Sequence, residues 1–109
     1  MISGKNYIGQ KASSEGNQRL VSFNPATGVT HSEDFVAATE SELNDVVALA
    51  VDTFKAYREK SASERAAFLR SIADNIMALD QELVERAMAE SGLPEARIKG
   101  ERGRTCNQL

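Results

Sequence analysis

Apolar residues follow three different patterns along the chain. From residue 39 to 91 they recur at helical spacing. Before that they cluster briefly between glycines and polar residues, and after Pro94 they almost cease. Leu43, Val46, Val47, Ala50, Phe54 and Tyr57 share one helical face. Thr39-Glu40-Ser41-Glu42 before them has capping-box spacing, a hydroxyl followed three positions later by a carboxylate. Ser61-Ala62-Ser63-Glu64 repeats that spacing, and Ala66, Leu69, Ile72, Ala73, Ile76 and Met77 form the next stripe. Asp80 is placed to cap a third helix carrying Leu83, Val84, Ala87 and Met88. Gly92 suits its C-terminal stop, and Pro94 suits the first turn of a fourth helix.

The first third reads as extended chain. Tyr7-Ile8 before Gly9 is a short strand, Lys11 to Gln18 a polar loop, and Arg19 to Phe23 a strand. Asn24-Pro25-Ala26-Thr27-Gly28 is a turn sequence: Asn opens it, Pro fixes one backbone angle and Gly accepts a positive φ. A second strand over residues 29–36 completes a β-hairpin. The expected fold is mainly α, with three to four amphipathic helices preceded by a short β-hairpin. Residues 1–38 form the extended segment and hairpin, and residues 39–109 form the helical segment. The stripes read as core-facing. The area left over is available to a partner.

Composition narrows the chemistry. One cysteine excludes an internal disulfide framework and a cysteine-based metal cluster. With His31 as the sole histidine, a His-centred triad is not expected. A formal charge of -3 disfavours sequence-blind nucleic-acid binding. No apolar run approaches a membrane span, and Met1 to Ile8 lacks a secretory h-region, so a cytoplasmic protein is expected. Charge is uneven. Residues 40–94 carry six bases and eleven acids, whereas residues 95–109 carry four bases and two acids. Glu40, Glu42, Asp45 and Asp52 read as a solvated face near a helix N-terminus. Arg97, Lys99, Arg102 and Arg104 read as a basic edge open to solvent or to an anion. Gly100 and Gly103 weaken a helix there and match no phosphate-binding loop. Cys106 reads as a non-catalytic thiol and His31 as a surface strand residue. No metal site is expected.

Three stretches in order carry a resemblance to the N-terminal segment of the aldehyde dehydrogenase superfamily. The first is Phe23-Asn24-Pro25-Ala26-Thr27-Gly28. The second runs from Glu42 through Tyr57 to Ser63-Glu64-Arg65-Ala66 and Leu69-Arg70-Ser71-Ile72-Ala73-Asp74. The third is Glu90-Ser91-Gly92-Leu93-Pro94-Glu95-Ala96-Arg97, similar to the family's Glu-Thr-Gly-Lys-Pro region but with Ser91-Gly92-Leu93 in place of Thr-Gly-Lys. Tyr57-Arg58 stands where the family often has Trp. The ending Gly103-Arg104-Thr105-Cys106-Asn107-Gln108-Leu109 resembles the branch of α-ketoglutarate semialdehyde and fatty aldehyde dehydrogenases.

The resemblance implies a fragment of an α/β fold, with residues 39–109 a truncated part of the cofactor-binding domain. It implies a full-length parent that oxidises an aldehyde to an acid with NADP or NAD, using a cysteine nucleophile and a glutamate that activates water. The nucleophile, the glutamate and the cofactor-binding units lie downstream. Cys106 comes too early to be that nucleophile, so no residue here is expected to be catalytic, cofactor-binding or metal-binding. Arg104, Thr105 and Gln108 are expected near the substrate entrance, Arg104 as partner to a carboxylate on the aldehyde. Expected partners are the remainder of the parent and other copies of the chain, in an oligomer, with no nucleic acid and no membrane. The rival reading is a stand-alone helical protein-interaction module.

Overall fold

A computed structural model describes residues 2–109. Four strands come first: β1 (Asn6–Ile8), β2 (Lys11–Ser13), β3 (Arg19–Phe23) and β4 (Thr30–Val36). Four helices follow: α1 (Glu40–Tyr57), α2 (Ala62–Ala78), α3 (Asp80–Ser91) and α4 (Glu95–Gln108). The chain divides into two units. One comprises residues 2–22 with 30–59, the other residues 23–29 with 60–109.

In the first unit β1 and β2 pair antiparallel, with Asn6 opposite Ser13, Tyr7 opposite Ala12 and Ile8 opposite Lys11. This corrects the expectation of a loop from Lys11. Lys11-Ala12-Ser13 has no apolar alternation to announce a strand. The pairing instead follows from Gly9-Gln10, a two-residue connection whose Gly9 adopts φ 60°. Residues ahead of β1 and behind β2 are stitched to the end of β4. The Val36 N–H donates to the Gly4 carbonyl at 2.9 Å, the Ala37 N–H to the Gln18 carbonyl at 3.0 Å, and Asn6 Nδ2 to the Val36 carbonyl at 3.1 Å. β3 and β4 form a second two-stranded pair.

α1 begins in the capping box its sequence promised. Thr39 Oγ1 accepts from the Glu42 N–H at 3.1 Å, and Glu42 Oε2 accepts from the Thr39 N–H at 2.8 Å. The carboxylate does more. It accepts hydrogen bonds from the Ser13 side chain and from the Glu15 N–H, so it also fastens the segment after β2. Glu42 is therefore buried, only 2% exposed, and not part of a solvated face as its neighbours suggested. These bonds, Ser13 first and the Thr39 backbone next, outweigh desolvation and lower its pKa from 4.5 to about 2.

The stripe on α1 is not a core within this chain. Leu43, Val47 and Phe54 are 58%, 54% and 60% exposed. α1 instead approaches the first hairpin along another side, where a Cβ at Gly9 would lie 2.8 Å from Leu49 Cδ2.

In the second unit the Asn24 turn is closed by its own backbone and side chain. The Asn24 N–H donates to the Val29 carbonyl at 2.8 Å, and Asn24 Oδ1 accepts from the Ala26 N–H at 2.9 Å. α2 starts in a second capping box, Ser61 with Glu64. Val84 on α3 is the apolar side chain buried throughout among the described residues. Leu69, Ile72 and Ile76 of α2 are half-buried, while Met77 turns outward. Gly92 ends α3 in the left-handed conformation, φ 69°, with its N–H on the Met88 carbonyl.

Two caps differ from expectation. Asp80 is not an N-cap. Leu79 holds that position without a side-chain hydrogen bond, and Asp80 itself takes φ 39°. Pro94 stands at the N-cap rather than inside the first turn, and its carbonyl accepts from Arg97 at 2.9 Å. α4 docks better than its composition suggests because its attachments are polar. Arg102 Nη1 donates to the Asp80 carbonyl at 3.0 Å, and Cys106 Sγ lies 3.7 Å from the Ala73 carbonyl. Ion pairs Lys99–Glu95 and Arg97–Glu101, each 2.7 Å, support the helix across its glycines.

Because the folded-state pKa of Glu42 lies below its unfolded value, the fold favours the ionised form. Its contribution is complete above pH 4.5 and disappears as pH falls toward about 2. Acid titration of wild type by circular dichroism should show that loss, and Glu42→Gln should be destabilised at pH 7 yet flatter in acid. Thr39→Ala should cost about 1 kcal/mol in urea unfolding. A Cβ at Gly100 would meet nothing within 4 Å. Gly100→Ala should therefore stabilise the chain by about 1 kcal/mol in the same assay.

Candidate functional site

The three residues expected at a substrate entrance share α4 but not one environment. Arg104 is 63% exposed and its guanidinium is already engaged: Nε donates to Glu101 Oε2 at 2.9 Å, and Nη2 lies 2.9 Å from the same oxygen. Thr105 lines an open cleft of about 250 Å³ with Ile76, Leu83, Ala87, Ile98, Glu101 and Arg102. Gln108 is exposed at the helix end. The structure thus puts Thr105 beside a cavity and leaves Arg104 and Gln108 outside its lining.

Glu101 is the residue that reading by type overlooked. Its carboxylate serves Arg104 on one side and Arg97, at 2.7 Å, on the other. The Arg104 hydrogen bond and charge, then the Arg97 charge, hold its pKa below the usual carboxylate value. The signal was in the spacing, because Arg97, Glu101 and Arg104 stand four and three apart on a helix. Arg102 was grouped with the surface cations, yet its side chain is 12% exposed and turned to Asp80. Lys99 pairs with Glu95. The basic edge expected at 97–104 is therefore internally paired, and an incoming anion must compete with Glu101 or Glu95.

Other candidate chemistry stays apart. Cys106 is half-buried, with the Ala73 carbonyl as its polar contact. His31 lies on β4 in the other unit as a half-buried strand residue, with its Nε2 buried and without a hydrogen-bond partner. Gly100 and Gly103 are committed to α4, so they do not form a loop whose amides could cradle a pyrophosphate. A second open cleft, about 510 Å³, lies between the Asn24 turn and the end of α3, lined by Asn24, Ala26, Met88, Ala89, Leu93 and Pro94 among others. Among the described residues no group of three or more His, Cys, Asp or Glu is placed to hold a metal ion, and no helix is long and apolar enough to cross a membrane.

The pattern of the aldehyde dehydrogenase family matches residues 11–109. With the hairpin turn, the two capping boxes and the Gly92-Leu93-Pro94 break in place, the chain belongs to the aldehyde dehydrogenase family. It is 43% identical over 109 residues, 99% of its length, to a protein of Azospirillum brasilense named alpha-ketoglutaric semialdehyde dehydrogenase 2. It is 32% identical over 107 residues, 98% of its length, to an alpha-ketoglutaric semialdehyde dehydrogenase of Acinetobacter baylyi. A 5-carboxymethyl-2-hydroxymuconate semialdehyde dehydrogenase of Escherichia coli is 32% identical over 93 residues, 85% of the chain. The chain spans 21%, 20% and 18% of these relatives, so each carries about four-fifths of its length beyond the shared part.

Surface ion pairs contribute little to stability, while apolar contacts at a helix interface contribute more. Arg104→Ala should leave the urea midpoint within experimental error. Ile98→Ala, at the docked side of α4, should cost about 1–2 kcal/mol.

Proposed function

We propose that this chain is the N-terminal segment of an NAD(P)-dependent aldehyde dehydrogenase that oxidises α-ketoglutaric semialdehyde to the corresponding diacid, and that the segment is not catalytic by itself. The observation that carries this reading is the 43% identity across the whole chain to a relative bearing that substrate in its name. The nucleophile and the dinucleotide site are assigned to the four-fifths of the parent that the relatives carry and this chain does not. In this reading the exposed α1 face at Leu43, Val47 and Phe54 packs against that remainder, or against a second subunit. A reducing, cytoplasmic setting suits the unpaired Cys106.

Within the parent, Arg104, Thr105 and Gln108 stand at the substrate entrance. Arg104 offers a planar fork suited to a carboxylate, and a single oxygen of Glu101, Oε2, already meets two of its nitrogens. A substrate carboxylate would exchange with Glu101 there.

The experiment is to express the longer polypeptide encoded by the same reading frame and follow NAD(P)H formation. Activity with α-ketoglutaric semialdehyde in the longer chain, and none in residues 1–109, is expected. Arg104→Ala in that chain should raise KM for the acidic aldehyde about ten-fold more than for a neutral one of similar size, with kcat little changed. Equal KM changes for both aldehydes would remove the entrance role. A reading frame that closes after residue 109 would instead favour an interaction module.

A further inference from the structure

We propose that Arg102 is a latch that keeps residues 62–91 broken into two helices at Asp80, where neither proline nor glycine compels a break. Nothing between Ala62 and Ser91 is a helix breaker, since the stretch contains neither proline nor glycine. Met77, Ala78, Leu79, Gln81, Glu82 and Leu83 around the break all have good helix propensity or tolerate a helix well. The break is also poorly furnished. α3 starts from Leu79 with no side-chain cap, and Leu79 itself keeps right-handed helical angles, φ -68° and ψ -14°. One residue makes the departure: Asp80, at φ 39°, in the left-handed region that is uncommon for non-glycine residues and that Asp and Asn enter most readily among them.

Such a backbone persists only where its surroundings impose it. The imposing group comes from 22 residues further on. Arg102 Nη1 donates to the Asp80 carbonyl at 3.0 Å. The Asp80 carboxylate is 85% exposed and 3.9 Å away, so the backbone is the firmer hold. Arg102 is drawn inward to make this bond, and its Nε is left buried without an acceptor. A guanidinium on a casual surface contact would not give up water for an unsatisfied donor. Arg102 lines the 250 Å³ cleft with Ile76 of α2, Leu83 of α3 and Ile98 of α4. The latch therefore sits where all three helices meet. Releasing it lets α2 and α3 merge into one rod of about 45 Å and swings α3 away from α4. The angle between α2 and α3 is thus set by the seating of α4, a coupling that holds independently of the aldehyde assignment.

The test compares Arg102→Met, Arg102→Lys and the double variant Arg102→Met with Asp80→Gly in the purified chain. It reads amide hydrogen exchange at Gln81 and Glu82 and the Cα chemical shift of residue 80. Arg102→Met should slow exchange at these amides at least ten-fold, as they enter a continuous helix, and move the Asp80 shift to the helical value. Adding Asp80→Gly should restore the break, because glycine accepts a positive φ freely and is a poor helix former. Wild-type exchange and shift at 80–82 in Arg102→Met would overturn the proposal. So would identical behaviour of the single and double variants. Should Arg102→Met lose protection throughout both helices, Arg102→Lys decides: restored protection with wild-type exchange at Gln81 and Glu82 supports the latch, because the ammonium can still donate to the Asp80 carbonyl, and protection lost there as well overturns it.

Discussion

The Glu42 carboxylate ties the first unit together. β1 and β2 have three residues each and largely polar side chains, too short to persist as an isolated hairpin. What keeps them in register with the rest is backbone hydrogen bonding to β4 and the bonds that Glu42 receives from Ser13, Glu15 and Thr39. One buried acid thus satisfies a helix N-terminus and anchors a loop at once, and a positive helix end is where a carboxylate is best tolerated. The second unit uses the reverse arrangement. There a largely buried cation, Arg102, reaches a backbone carbonyl of another helix. Both units rely on a charged side chain spanning elements because little apolar surface is fully enclosed, with Val84 the case among the described residues.

Elements specified by neighbours in sequence were legible. The Thr39 and Ser61 boxes, the Asn24 turn and the Gly92 stop each depend on contacts over a few residues, and each formed where its residues stand. β3 has the bounds its apolar cluster indicated, Arg19 to Phe23. Features fixed across long separations were not legible. Glu42 is one of four acids near the start of α1, and only its meeting with Ser13 and Glu15 distinguishes it from Glu40 or Asp45. The break at Asp80 was placed correctly but for the wrong reason. A cap was expected, and a left-handed residue held from α4 stands there instead. At the candidate site the helix and its cations were readable, whereas the division of labour among Arg97, Arg102 and Arg104 required coordinates.

The α1 stripe shows how a correct pattern can point beyond its own chain. Its periodicity describes a helix with one apolar face, and the helix forms. Burial is a separate matter, because it needs an opposing surface. Leu49, off the main stripe, meets the first hairpin, while Leu43, Val47 and Phe54 face water. Within this chain that face meets no opposing apolar surface. The relatives carry the matching segment within a chain about five times as long.

The cations of α4 separate by how far each has left the solvent. Arg102 has exchanged water for a carbonyl and cannot take up an outside anion without abandoning Asp80. Arg104 remains in water, and a solvated ion pair is easily replaced because solvent screens both the old partner and the new. Glu101 does not leave when Arg104 is taken, since Arg97 still holds it. A carboxylate arriving at Arg104 would displace a partner that has another to turn to, and the helix would keep two of its three ion pairs, Arg97–Glu101 and Lys99–Glu95. That arrangement leaves Arg104, like Arg97, in water against a shared carboxylate, and it leaves Arg102 to the architecture.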